Sequence, residues 1–324
     1  MISVDGLLAP SWDDIVAAQA RIREVLPPTP MLSYPAVDAA IGTETWIKHE
    51  NLQRVGAFKV RGGVNLVAAL PGSVRASGII AASTGNHGLS LAYACSLFAT
   101  RCVICVPTNP NPAKKSAIAA LGAEVVEHGR DFDDARQHCE QLAVQEGMRY
   151  VHSGDEPDLI AGVATITVEM LEQVPDLDVL FVPIGGGSGV AGACLAAKAI
   201  RPQLRVIGVQ SEASPAAYRS WRDHRLQQAD SHTWAEGLAT RSAFALPQAI
   251  MGELLDDFIL VSDAQIRQGV ADIIRWTRTV SEGAGAAALA GALQMKSGLA
   301  GAKVGVICSG GNLSTDQLRW VLSP

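Results

Sequence analysis

The stretch VLFVPIGGGSGVAGA (residues 179–193) is the most informative part of this 324-residue chain for its fold. The first six residues are apolar, which is typical of a buried strand, and the glycines after them lead into a helical pattern. In such a strand, loop and helix unit, backbone N–H groups and the helix N-terminus converge on an anion. The stretch therefore predicts an α/β fold with a phosphate-binding loop.

The glycine spacing is compatible with more than one kind of loop. Gly187, Gly189 and Gly192 match the dinucleotide-binding fingerprint, and Glu212 lies about 20 residues further on, where NAD proteins carry a ribose-binding acid. An NAD-binding oxidoreductase is therefore one interpretation. A loop whose glycines only permit tight turning is another.

Strand and helix signals alternate from about residue 78 onward. The strand-like runs are residues 79–82, 102–106, 124–127, 179–182, 205–209 and 304–308. Helical stretches between them predict a doubly wound, mostly parallel arrangement. Near the start, SWDD (residues 11–14) is a capping box that opens a helix, and this helix must end before Pro27.

The chain is long enough for two domains. Pro71 and Gly72 mark one break, and residues 150–154 mark the return to the larger unit. We therefore predict a large domain from residues 1–70 and 152–324, and a small domain from residues 71–151.

Lys59, in the segment ENLQRVGAFKVRGG (residues 50–63), is the candidate for covalent chemistry. A lysine held partly desolvated loses its proton more readily, and its free lone pair attacks carbonyl compounds. A lysine considered alone is far more often a solvated surface residue. The chemical interpretation therefore depends on the loops around it.

Two further polar loops follow strand-like runs. AASTGNHG (residues 81–88) gathers hydroxyls, an amide and an imidazole before a helical stretch, which suits a substrate carboxylate. SGGN (residues 309–312) follows the apolar run VGVIC (residues 304–308). Loops at the carboxyl ends of strands meet in one crevice of an open α/β sheet. We therefore expect both loops, the glycine loop and Lys59 to form one site.

These motifs, in this order, resemble those of the fold-type II pyridoxal-phosphate enzymes, in the group of serine/threonine dehydratases and serine racemases. The matching segments are FKVRG (residues 58–62), STGNHG (83–88), GGGSG (185–189) and SGGN (309–312), with TPM (29–31) and EGAG (282–285) in support. The resemblance implies a two-domain, tryptophan synthase β-like α/β fold with open, mostly parallel sheets flanked by helices. It also implies a homodimer.

The resemblance implies a role for each motif toward pyridoxal 5′-phosphate and the substrate. Lys59 binds the cofactor and later removes the substrate's α-proton, Asn86 contacts the ring's phenolic oxygen, and Ser309 contacts the pyridine nitrogen. The full set of implied cofactor contacts is Phe58, Lys59, Asn86, Gly185, Gly186, Gly187, Ser188, Gly189, Gly237 and Ser309. The implied substrate contacts are Ser83, Thr84, Asn86, His87 and Arg241, and Thr84 is the second candidate catalytic residue.

The implied reaction is dehydration of a 3-hydroxy amino acid, similar to serine or threonine, to a 2-oxo acid and ammonia. Racemisation is the alternative, because racemases of this group place a serine hydroxyl where this chain has Thr84. Threonine keeps the hydroxyl, but its methyl group stiffens χ1, so dehydration is favoured. Arg241 is either the partner of a second substrate carboxylate, as a 3-hydroxyaspartate would need, or a solvated loop residue. A non-catalytic amino-acid-binding protein is the remaining class.

Other classes of function have little support in the sequence. The net charge is −6 and the basic residues are scattered, so no nucleic-acid partner is expected. No apolar run reaches the length of a membrane span and no secretion leader is visible, which predicts a cytoplasmic protein without a membrane partner.

A bound metal is not expected either. Related enzymes carry acidic metal ligands in the loop that here reads QSEASPA (residues 210–216), where Gln210 and Ala216 supply no charge. Cys102 and Cys105 have C-x-x-C spacing, but residues three apart on a strand point to opposite faces and cannot share one ion.

Overall fold

The computed structural model describes residues 2–323 as two sheets flanked by helices, with a short hairpin near the N-terminus. The strands are β1 (Ser3–Val4), β2 (Leu7–Leu8), β3 (Met31–Ser33), β4 (Thr45–His49), β5 (Ile79–Ala82), β6 (Cys102–Val106), β7 (Glu124–Glu127), β8 (Arg149–Tyr150), β9 (Val179–Pro183), β10 (Arg205–Ser211), β11 (Asp257–Val261) and β12 (Val304–Cys308). The helices are α1 (Trp12–Arg23), α2 (Pro35–Ile41), α3 (Lys59–Ala69), α4 (Gly72–Ser77), α5 (Asn86–Leu97), α6 (Pro112–Ala120), α7 (Phe132–Glu146), α8 (Pro157–Gln173), α9 (Ser188–Ile200), α10 (Ala216–Arg222), α11 (Ala245–Leu254), α12 (Asp263–Thr277), α13 (Gly283–Gln294) and α14 (Thr315–Leu322).

The larger sheet has the strand order β11-β10-β9-β12-β4-β3, and all its pairs are parallel except β3 with β4. Its register aligns Ile207, Phe181, Val306 and Ile47 in one row across four strands. All four side chains are buried in the core beneath α12 and α13, while α8, α9 and α11 cover the other face. A parallel sheet is buried on both faces, which explains the continuous apolar runs in its strands.

The smaller sheet has the order β7-β6-β5-β8 and is parallel throughout. On its central strand β6, Cys102 packs with Cys95 in one core cluster, and Cys105 packs with Cys139 in another. The two cysteines of the C-x-x-C spacing therefore face opposite sides, as the strand period predicts. Within residues 2–323, no group of three or more His, Cys, Asp or Glu side chains is placed to hold a metal ion.

The predicted α/β fold class and all six predicted strands are confirmed, and four of these strands have the predicted ends. The capping box at Ser11 is formed, because its hydroxyl accepts the N–H of Asp14 and the Asp14 carboxylate accepts the N–H of Ser11. The strands of the smaller sheet all fall within residues 71–151, and we retain the division into two domains as a proposal. Across residues 2–323, none of the helices has the length and apolar content that crossing a membrane requires.

Candidate active site

Lys59 is the first residue of α3, and two 3₁₀ turns, Glu50–Leu52 and Arg54–Gly56, precede it. The N–H of the preceding Phe58 donates to the carbonyl of Ser309 over 3.0 Å, which holds the start of α3 against the end of β12. Lys59 is half-buried, and this burial lowers the pKa of its amine to about 8. Its nucleophilic, neutral form is therefore populated near neutral pH, unlike that of a surface lysine.

A buried charge cluster of Lys48, Glu50, Arg61 and Glu169 anchors the first turn of α3. The fully buried guanidinium of Arg61 donates to both carboxylate oxygens of Glu50 and both of Glu169, at 2.7–2.8 Å. Lys48 donates to Glu169 over 2.7 Å. Two cations balance two anions, and bidentate geometry fixes Arg61 in one orientation. The cluster therefore fixes the backbone two residues from Lys59.

The glycine loop connects β9 to α9. Gly187, at the N-cap of α9, has φ +95°, a left-handed conformation that favours glycine. The next residue, Ser188, lies with its hydroxyl oxygen 3.4 Å from the Lys59 Nζ and accepts its hydrogen bond. The positive end of the α9 dipole therefore lies beside Lys59, which suits an anionic group at this position.

A side chain at the other glycines of the loop would collide with its neighbours at Gly185 and Gly186 and crowd them at Gly189. A Cβ on Gly185 would lie 2.1 Å from the carbonyl oxygen of Gly237, and one on Gly186 would lie 2.2 Å from the ring of Phe244. A Cβ on Gly189 would lie 3.1 Å from the ring of Phe58. Glycine at these positions therefore lets the backbone of the loop pack closely against Gly237, Phe244 and Phe58.

In the loop after β5, the side chain of Thr84 is exposed, whereas that of Ser83 is bonded to N–H groups of the loop itself. Ser83 is buried, and its hydroxyl oxygen accepts the N–H groups of Gly85 (3.2 Å) and Gly88 (2.9 Å). This oxygen caps the first turn of α5. The side chain of Thr84 is exposed. Of the two hydroxyls, that of Thr84 is therefore the more accessible to a ligand.

His87 lies beneath this loop rather than on its surface. Burial, assisted by the charge of Lys59, lowers the pKa of its imidazole to about 3. Its Nε2 is buried without a hydrogen-bond partner among residues 2–323, and the ring lines a small cavity together with Lys59 and Ser188. His87 therefore contributes a neutral ring to the site, not a cation.

Asn86 joins two loops through both ends of its amide. Its Nδ2 donates to Glu282 Oε1 over 2.7 Å, and its Oδ1 accepts from Asn312 Nδ2 over 2.7 Å. Glu282 and Asn312 were not among the site residues predicted from the sequence. Both lie in motifs quoted there, EGAG (residues 282–285) and SGGN (residues 309–312), and a polar side chain within these motifs is the feature that could have identified them.

The remaining predicted residues divide into two groups. Gly237 lies on the 3₁₀ turn Glu236–Leu238, where a Cβ would be 2.7 Å from that of Ala284, and Ser309 is buried at the end of β12. Ser309 therefore adjoins Lys59 through its bond to the N–H of Phe58, and Gly237 adjoins the glycine loop through its carbonyl, which lies against Gly185. Arg241 is exposed, and its hydrogen bond within residues 2–323 is a backbone bond, from the N–H of Ala229 to its carbonyl.

Comparison with known proteins agrees with this geometry. A sequence model of a family described as "Pyridoxal-phosphate dependent enzyme" matches residues 22–310. The chain is 35% identical to the L-threo-3-hydroxyaspartate ammonia-lyase of Saccharomyces cerevisiae, over 98% of each chain. It is 32% identical to the L-threonine ammonia-lyase of Thermotoga maritima, over 96% of this chain and 78% of that protein. The structure of maize serine racemase superimposes with a TM-score of 0.92 at 29% identity, over 97% of each chain.

The family match decides between the two ligand interpretations of the glycine loop. It favours the phosphate of pyridoxal phosphate over that of a dinucleotide, so the NAD interpretation is wrong. With Lys59 beside the N-terminus of α9, and with a family match over residues 22–310, the chain belongs to the pyridoxal-phosphate dependent enzymes.

Proposed function

We propose that this protein is a pyridoxal-phosphate-dependent ammonia-lyase that dehydrates a 3-hydroxy amino acid to a 2-oxo acid and ammonia. The observation that carries the proposal is the Lys59 amine, with a pKa of about 8, which lies 3.4 Å from Ser188 at the start of α9. The two ammonia-lyases named above support the reaction class. Serine, threonine and 3-hydroxyaspartate are the substrate types to compare.

The residues present fit the cofactor. Lys59 supplies a low-pKa amine for its aldehyde, and the glycine loop at the start of α9 would offer its backbone N–H groups to its phosphate. Phe58 and Gly237 would flank the ring. Ser309 would meet the pyridine nitrogen, and Asn86 the phenolic oxygen. The rest of the phosphate loop would be Gly186, Gly187 and Ser188.

When bound, the cofactor withdraws electrons from the substrate's Cα and so makes the α-proton acidic. In our proposal Lys59 removes that proton and holds it at Nζ, which requires an amine that is neutral near the working pH. The proton held at Nζ is passed to the β-hydroxyl, which leaves as water, and the enamine released from the site takes up one water to give the 2-oxo acid and ammonia. Ser309 carries no charge, so it does not force protonation of the pyridine nitrogen as a carboxylate would.

The substrate carboxylate would bind at the N-terminus of α5, where backbone N–H groups and the helix dipole favour an anion. Thr84 would donate its hydroxyl there, with Ser83, Asn86 and His87 forming the rest of this wall. His87 is neutral and Ser83 caps the loop, so both act chiefly by shaping it. Arg241 follows Thr240, whose hydroxyl donates to the carbonyl of Gly185 over 3.3 Å, and its exposed side chain would be the partner of a second substrate carboxylate.

Racemisation is the second candidate, favoured by the exposed Thr84 side chain and the close superposition on maize serine racemase. Thr84 would return a proton to the face of Cα opposite Lys59. We further propose a homodimer and a cytoplasmic location.

The test of this function is turnover of a substrate panel. Purified enzyme with added cofactor is mixed with both enantiomers of serine, threonine and 3-hydroxyaspartate, while ammonia, 2-oxo acid and the enantiomer ratio are measured. Equal amounts of ammonia and 2-oxo acid from one substrate are the expected result. Inversion of configuration without ammonia would replace the dehydratase by a racemase, and no change in any substrate would contradict both.

The rate at which the apo-enzyme captures its cofactor should depend on pH through Lys59. The neutral amine is the nucleophile, and burial lowers its pKa to about 8, so the capture rate should rise with pH and level off above that value. Stopped-flow measurement of the visible absorption band from pH 6 to 10 gives the midpoint. A midpoint near that of an ordinary lysine, roughly 10.4, would contradict the desolvated environment.

Gly185→Ala should weaken cofactor retention by tenfold or more. The added methyl would lie 2.1 Å from the backbone oxygen of Gly237, so one of the two loops that flank the site must move. Gly252→Ala is the matched control, because this helical position has no atom within 4 Å of the added methyl. Cofactor dissociation constants, measured by fluorescence titration, should be unchanged in the control. An unchanged constant in Gly185→Ala would show that the loop does not hold the cofactor.

A further inference from the structure

Glu282 is the residue before α13, and its carboxyl lies in a pocket that it shares with Lys114, Glu236 and Gly237. We propose that Glu282 is a positioning residue which acts through Asn86 to orient the donor, and to set the charge, beside the phenolic oxygen of the cofactor. The proposal deepens the proposed function and rests on its cofactor site.

The orientation of Asn86 is determined by a chain of hydrogen bonds that begins at a backbone carbonyl. The carbonyl of Val55 can only accept, so the amide nitrogen of Asn312 must face it, at 2.8 Å. The same nitrogen donates to the oxygen of Asn86 over 2.7 Å. The nitrogen of Asn86 is therefore on the other side, where Glu282 accepts one of its two hydrogens over 2.7 Å.

The second hydrogen of the Asn86 nitrogen remains available to a ligand. A phenolic oxygen that carries negative charge is an acceptor, so it needs the nitrogen of Asn86 rather than the oxygen. If Glu282 and Asn312 were absent, either end of the amide could face the ligand. The pair therefore selects the end that suits the cofactor.

The backbone at Gly56 helps to hold the amide of Asn312 in this orientation. Gly56 has φ +73°, and a Cβ there would lie 2.4 Å from the side-chain oxygen of Asn312. The oxygen of Asn312 therefore packs directly on the Gly56 backbone while its nitrogen faces Val55 and Asn86. A side chain at position 56 would displace the side chain of Asn312 and so disrupt its hydrogen bonds to Val55 and Asn86.

The carboxyl of Glu282 is also placed to change its charge near neutral pH. Burial raises its pKa to about 7, against the opposing effect of the Asn86 hydrogen bond. The charged or titratable groups that face it are Lys114 on α6, Glu236 on the 3₁₀ turn and Cys308 at the end of β12. Lys114 lowers the pKa of Glu282 and Glu236 raises it, while Lys114 and Glu236 also form an ion pair with each other.

In the proposed cofactor site, ionised Glu282 would place a negative charge on the far side of the Asn86 amide from the phenolic oxygen. Negative charge at this position disfavours a second anion and favours retention of a proton near it. The absorption of the bound cofactor depends on the charge at this oxygen. The visible band should therefore change as Glu282 gains or loses its proton.

The experiment is a pH titration of the visible band of the holoenzyme from pH 5.5 to 9. We expect a spectral transition near pH 7 in the unmodified protein and its loss in Glu282→Gln, which keeps a hydrogen-bond acceptor but cannot ionise. Glu282→Asp, which remains ionisable, should retain a transition. If Glu282 had a purely structural role, the Glu282→Gln variant would show the same pH profile as the unmodified protein.

Two variants of neighbouring residues should shift the midpoint of this transition in opposite directions and serve as matched controls. Lys114→Gln removes a positive charge and should raise the midpoint, while Glu236→Gln removes a negative charge and should lower it, each by about 0.5 pH unit. These shifts show whether Glu282 is the titrating group even if Glu282→Gln fails to bind the cofactor. A transition that persists in Glu282→Gln, or a midpoint that does not move in opposite directions in the two controls, overturns the proposal. Absence of any band in the unmodified holoenzyme would instead contradict the cofactor site itself.

Discussion

Replacing Lys59 with alanine should abolish turnover, with a loss in kcat/KM of at least ~10³-fold, and should also remove the visible band of the lysine-bound cofactor. The amine has two proposed tasks, covalent attachment and removal of the α-proton, and the methyl group of alanine performs neither. The site keeps its glycine loop, so the variant should still bind the cofactor without a covalent bond. Absorption spectra and an ammonia assay measure both effects.

Lys115→Ala is the control for this experiment. Lys115 lies on α6 with an exposed side chain that pairs with Glu127 over 2.7 Å, and it has no role in the proposed chemistry. Its loss should change kcat/KM less than about twofold, and both variants should keep a free energy of unfolding within about 1 kcal/mol of the original. Turnover by Lys59→Ala within tenfold of the unmodified enzyme would contradict the assignment of Lys59.

Arg61→Met should lower the free energy of unfolding by about 3–5 kcal/mol. The substitution removes four charged hydrogen bonds from the buried carboxylates of Glu50 and Glu169, and leaves Lys48 as the cation bonded to Glu169 and the Thr29 hydroxyl as the donor to Glu50. Burial would raise the pKa of Glu169, but the hydrogen bonds and charges of Arg61 and Lys48 hold it below its ordinary value. Urea titration followed by circular dichroism measures the loss.

The ion pair between Arg23 and Glu172 is solvent-exposed and serves as the comparison for the buried Arg–Glu pairs of the cluster. Its side chains are 51% and 48% exposed, so Arg23→Met should cost less than about 1 kcal/mol. If Arg61→Met were as mild as Arg23→Met, the cluster would not be the desolvated anchor of α3 that the structure describes.

The same cluster explains why part of the large sheet was missed in the sequence. Strand β4 contains Thr45, Lys48 and His49, all buried, and a sequence pattern assigns such residues to a surface. Their burial depends on partners distant along the chain, since Lys48 pairs with Glu169 and His49 bonds to Tyr34 over 2.8 Å. Strands with continuous apolar sequences, such as β5 and β12, had no such dependence and were predicted with the right ends.

The candidate site was predictable to a similar degree. Loops at strand ends and Lys59 were expected together, and the contacts between Lys59 and Ser188, and between Asn86 and Asn312, place them together. The sequence did not indicate which polar side chains face inward. His87 is buried under the loop, and Glu282, quoted only as part of a motif, contacts Asn86. Side-chain direction at a loop depends on tertiary packing, which a local pattern does not contain.

The most direct test of the central claim is to find which residue carries the cofactor. Holoenzyme is reduced with borohydride, which converts a lysine–cofactor C=N bond to a stable single bond, then digested and analysed by mass spectrometry. We predict one modified peptide, with the cofactor on Lys59. An unmodified Lys59, or a cofactor attached instead to Lys48 or Lys114, would contradict the proposed site.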